Sequence, residues 1–102
     1  MVNMDTNALA RAASLIAKGN VNSSISAVRL DWNSALLRVS VLYFVDGDVS
    51  DDERELCELT LAELLAEFPE IRTAETQCLP TIDEAAYAPT ISIYRRGTQG
   101  ES

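Results

Sequence analysis

An α+β fold is predicted, with elements in the order αββαββ and a four-stranded antiparallel sheet carrying two helices packed on one face. Three observations predict it: a sharply bounded helix from Ser50 to about Phe68, a helix-periodic stretch near the start, and apolar runs of period two between and after them. The 102 residues make a single α+β domain, 1–97, with a polar tail, 98–102, expected to be disordered.

The segment 5–20, DTNALARAASLIAKGN, reads as the first helix. Asp5 or Thr6 can cap it, Leu9, Ala12, Ala13 and Ile16 form a stripe, and Gly19 stops it behind Lys18. Its small-residue face buries little area, so this helix is expected to be a lid over one edge of the core. From Ile25 the period changes to two. Ile25 to Trp32 and Leu36 to Val45 read as strands joined in a hairpin at Asn33-Ser34-Ala35. In the second of them Leu37, Val39, Val41, Tyr43 and Val45 share a face. Leu36, Leu42 and Phe44 break the polarity of the other face around Arg38 and Ser40, which predicts a central strand. Asp46-Gly47-Asp48 turns the chain, with Gly47 available for a positive φ.

The second helix carries the clearest signals. Ser50 followed three residues later by Glu53 is a capping box, and Asp51 and Asp52 place negative charge at the positive end of the helix dipole. Pro69 ends the helix, because the residue before a proline is pushed out of helical geometry. At 100° per residue, Cys57, Leu61, Leu64, Leu65 and Phe68 form the stripe expected to pack on the sheet. Opposite it lie Asp52, Glu55, Glu63 and Glu67, and among these acids stand Leu56 and Leu59. The two leucines are either covered by another element, or scattered surface residues, or an apolar anchor rimmed by carboxylates, as on a binding surface. Beyond Pro69, Ile71 to Leu79 alternates weakly and reads as a half-exposed strand. Pro80 to Pro89 reads as a loop carrying Asp83, Glu84 and Tyr87, and Thr90 to Arg96 as the last strand.

Sixteen Asp plus Glu against eight Lys plus Arg give a net charge of −8, which disfavours nucleic acid and anionic membrane as direct partners and favours a basic protein surface. The two cysteines, Cys57 and Cys78, have neither CxxC spacing nor a histidine to complete a usual zinc site, so buried reduced thiols are expected, in keeping with a cytoplasmic protein. No apolar run is long enough to span a membrane, and no secretory signal is read at the start.

Histidine is absent, and with it the imidazole base, the serine–histidine pair and the usual transition-metal ligand. Glu55 with Glu58, and Glu63 with Glu67, have the spacing of neighbours on a helix. On an open face such pairs are a solvated surface rather than an acid and base in a cleft. The four glycines are dispersed at 19, 47, 97 and 100, so there is no phosphate loop, and Asp46-Gly47-Asp48 lacks the rest of a calcium loop. No catalytic residue, cofactor or metal site is expected, and the protein is read as a non-enzyme.

The chain resembles the small acidic immunity proteins of bacterial toxin systems, in particular those paired with contact-dependent growth inhibition toxins. The resemblance covers most of the chain. It rests on Met4-Asp5-Thr6-Asn7-Ala8-Leu9, the tyrosine-phenylalanine strand ending in Asp46-Gly47, Ser50-Asp51-Asp52-Glu53-Arg54-Glu55-Leu56, Phe68-Pro69 and Ile93-Tyr94-Arg95-Arg96. It implies a non-enzymatic protein that binds a toxin domain delivered by a neighbouring cell and blocks its active site, often that of a nuclease.

The physical reading runs parallel to it. A nuclease cleft is basic, and a carboxylate-covered helix offers that cleft an alternative set of anions. The partner-binding residues expected are Asp46, Asp48, Asp52, Glu55, Leu56, Leu59, Glu63, Glu67 and Tyr87, with Trp32 a further candidate for a desolvated centre. Two other classes stay open: an acidic nucleic-acid mimic directed at a DNA-binding protein, and a structural module whose Leu56 and Leu59 make a homodimer. A monomer or weak homodimer is expected.

Overall fold

The computed structural model describes residues 6–96, so Asp5 as a cap and the tail beyond Thr98 lie outside the described residues. Helix α1 spans Thr6–Lys18 and closes as Gly19 N–H donates to Ile16 O and Asn20 N–H to Ala17 O. Its buried stripe is Leu9, Ala13 and Ala17, with Ala12 and Ile16 half-buried at the margin. Strand β1 (Ile25–Asn33) and strand β2 (Arg38–Val45) form the expected antiparallel hairpin. The second strand begins at Arg38 rather than Leu36, because the Asn33 side chain accepts the Leu36 N–H at 3.1 Å and Leu37 turns the chain with φ 51°. A left-handed leucine is uncommon, and here its carbonyl is held by the Arg72 and Thr73 N–H groups at 2.8 and 3.2 Å.

Gly47 has φ 78°, as the acidic turn required. Helix α2 then runs Asp51–Glu67 between Ser50 and Phe68. Strand β3 (Thr73–Pro80) follows, then a 3-10 helix η1 (Thr81–Tyr87) in the stretch read as a loop, then strand β4 (Ile91–Arg95).

The four strands lie in the order β3-β2-β1-β4. Both helices pack on one face, α1 over β4 and β1, α2 over β2 and β3. The all-antiparallel expectation is corrected: β3 pairs with β2 in parallel, so the sheet is mixed. The cause is the crossover. A 17-residue helix carries the chain back by about 25 Å, and β3 must then start at the end where β2 started. Strands β3 and β4 do not pair as a hairpin, because η1 crosses beneath the sheet and delivers β4 to β1 at the far edge.

The main core lies between sheet and helices and contains Leu9, Val28, Leu30, Val39, Val41, Tyr43, Cys57, Leu64 and Ile93. Burial of Tyr43 is matched at its hydroxyl, which donates to Asn20 O at 2.8 Å and shares a short hydrogen bond with the buried Thr60 hydroxyl. On the second face Ala27, Leu42 and Phe44 form a smaller core under η1, with Leu79 and Tyr87 packed against it. The leucine and phenylalanine that interrupt the polar face of β2 are therefore the seat of η1.

Candidate functional site

The acidic surface is built on the start of α2. Glu53 Oε1 accepts the Ser50 N–H at 2.9 Å and also the Ser50 hydroxyl, completing the capping box from the glutamate side. Its other oxygen accepts from Asn22 Nδ2 at 2.9 Å, so Glu53 is 5% exposed and pins the helix start to the segment before β1. Hydrogen bonds from Ser50, then Asn22, hold its carboxyl down from the ordinary 4.5 to about 2.

A depressed carboxylate pKa stabilises the fold above the unfolded value, and the contribution is lost as pH falls from about 4.5 towards about 2. Replacing Glu53 by Gln is expected to flatten that part of the acid-unfolding curve, read by circular dichroism between pH 5 and 2. An unchanged acid limb would mean that the cap does not hold the helix start.

With Glu53, Cys57, Thr60 and Leu64 turned inward, Asp52, Glu55, Leu59, Glu63 and Glu67 form one outward row, each three or four residues from the next, and all are exposed. Leu59, 44% exposed, stands among four carboxylates. The predicted pair of leucines divides here, because Leu56 is half-buried and packs on the main core of its own chain.

The Asp46–Asp48 turn adjoins the start of α2. Asp48 is exposed, as are Asp51 and Asp52. Asp46 is engaged within the fold: it accepts the Thr81 hydroxyl at 2.7 Å and pairs with Arg96, and these contacts, the Thr81 hydrogen bond first, hold its carboxyl below the usual range. It joins the turn to η1 rather than standing free.

Tyr87 is placed on the other side of the sheet, half-buried, its ring 5.6 Å from that of Phe44, and so does not share a surface with the α2 row. It lines a groove of about 420 Å³ together with Asp31, Arg38, Ser40, Glu75 and Gln77. Trp32 packs on the main core rather than on the surface.

Further large apolar side chains are exposed among the described residues: Leu15 on α1, Leu36 before β2 and Ile82 on η1. Ile82, on η1 between Thr81 and Asp83, is 85% exposed and sits beside the acidic turn through the Thr81–Asp46 hydrogen bond. Its signal was an isolated isoleucine flanked by Thr81 and Asp83 in a segment read only for its polar residues.

Among the described residues no group of three or more His, Cys, Asp or Glu side chains is arranged to hold a metal ion. Both cysteines are free thiols, Cys57 buried and Cys78 half-buried. No helix of the described residues is long and apolar enough to cross a membrane. What the site offers is a convex, negatively charged helix with an apolar residue at its middle.

This is the architecture of a small α+β protein, a mixed four-stranded sheet with two helices on one face. A family model described as MafI2 immunity protein matches residues 9–96, and the chain belongs to that family. Membership makes it an immunity protein whose partner is a toxin. Comparison with curated proteins gave no match.

Proposed function

We propose that this protein is a cytoplasmic, non-enzymatic inhibitor of a basic toxin domain, a nuclease delivered by a contact-dependent growth inhibition or related polymorphic toxin system. The outward row of α2 and the adjoining Asp48 occupy the nuclease's substrate cleft, with Leu59 at the dry centre of the contact. The single observation that carries this reading is the exposed leucine held within a row of carboxylates on a rigid, capped helix. Anions on that row stand in for phosphates, and complementary fields speed the encounter before the toxin reaches its substrate.

The test is a titration of the partner toxin domain with this protein, followed by cleavage of nucleic acid. Activity is expected to fall to background at one equivalent of inhibitor, while the inhibitor alone cleaves nothing. Full activity at several equivalents, or turnover by the inhibitor alone that Glu63→Gln or Glu67→Gln abolishes, would sink the proposal.

A further inference from the structure

The two edges of the sheet are finished differently. Strand β4 is five residues long, its pairing with β1 is bulged at Ile93, and the Ile93 carbonyl accepts the Ser14 hydroxyl of α1 at 2.7 Å. Short length, a bulge, a capped carbonyl and terminal arginines are the devices that stop an edge from pairing further.

Strand β3 has few of these. It is eight residues long, holds unbroken register with β2 from Thr73 to Pro80, and among the described residues no strand pairs with its outer side. None of its residues is buried, and its proline lies only at the last position. Its one charged residue, Glu75, is drawn back over the sheet by Arg38 and by the Ser40 hydroxyl at 3.1 Å. On the helical side its alternate side chains are small, Ala74, Thr76 and Cys78. The last two line a recess of about 220 Å³ with Arg54 and Glu58 of α2, where Glu58 accepts the Thr76 hydroxyl at 3.1 Å.

We propose that β3 is the strand on which the toxin adds a strand of its own, an extended segment whose alternate side chains face the recess between Arg54 and Glu58. The proposal rests on the toxin-neutralising reading and gives it a second, backbone-mediated contact. Ladder hydrogen bonds to the free side of β3 supply affinity, and the recess reads every second side chain of the incoming strand. A second copy of this chain is a poorer occupant, since each copy carries a net charge of −8. A strand lying on β3 also places the body behind it against the carboxylate surface of α2, so one partner covers both features.

The experiment compares the full-length protein alone with its complex with a catalytically inactivated toxin domain. In the complex, the alternate amides of Thr73 to Leu79 that point away from β2 are expected to exchange at least about tenfold more slowly. Alkylation of Cys78 is expected to slow similarly, with buried Cys57 as the internal control. Thr76→Lys, which places a charge in the recess, is expected to weaken binding about tenfold with an unchanged unfolding midpoint. If that variant does not fold, the two protection measurements on the unaltered protein decide. A complex that forms and leaves β3 amides and Cys78 unprotected overturns the edge assignment and leaves the toxin reading standing. Protection of β3 in a homodimer of the protein alone overturns the choice of occupant. Absence of any complex overturns the toxin reading and this inference with it.

Discussion

Truncating Leu64 to alanine is expected to lower the stability of the fold by about 2 to 5 kcal/mol, the range for leucines lost from a closed core. Leu64 is fully buried between α2 and the sheet, where its neighbours belong to the main core. Glu63→Ala, one residue earlier on the outward row, is expected to change stability by less than about 0.5 kcal/mol. Urea unfolding of the two variants measures both. Equal losses would mean that α2 is rotated about its axis from the orientation described, and the carboxylate row would then not face outward.

The second large effect is on binding, where charge and apolar contact are expected to fail in different ways. Glu55→Lys or Glu63→Lys should slow association with the toxin domain and flatten its dependence on salt, because exposed charges act chiefly through steering. Leu59→Ala should leave association near its starting rate and speed dissociation by about 5- to 150-fold, the equivalent of roughly 1 to 3 kcal/mol. Leu56→Ala separates a packing role from a binding one. Half-buried on its own core, it is expected to lower stability and to change dissociation less than Leu59→Ala does. Stopped-flow association at several ionic strengths gives all of these rates. If Leu59→Ala and the charge reversals change the same rate constant, the division into a dry centre and a steering rim is wrong.

Much of the fold was legible in the sequence wherever the determinant is local. Ser50, Glu53 and Pro69 bound α2 because capping and the stereochemistry before proline act within a few residues. Gly47 announced the turn, and the unbroken apolar run through Val45 announced an interior strand.

The inward face of α2 was only partly legible. It includes Glu53 and Thr60, polar residues that a hydrophobic stripe assigns to solvent. They are buried because Ser50 and Asn22 satisfy the first and Tyr43 the second, partners fixed only by the tertiary fold. The direction of β3 was illegible because it depends on where a crossover helix sets the chain down, and its weak alternation fits either direction. The place of Tyr87 followed from η1, whose docking on Leu42 and Phe44 joins residues more than forty positions apart. On the candidate site, the carboxylates were readable from helical spacing alone, whereas the different fates of Leu56 and Leu59 turn on α1 and the core lying to one side of α2.

Competition for the toxin's cleft distinguishes occupation of that cleft from mere association. A fluorescent nucleic acid is bound to the catalytically inactivated toxin domain, and this protein is added while anisotropy is followed. Stoichiometric release of the nucleic acid is predicted, with Glu55→Lys and Glu63→Lys each requiring more protein for the same release. A stable ternary complex, in which toxin holds nucleic acid and immunity protein together, would contradict it.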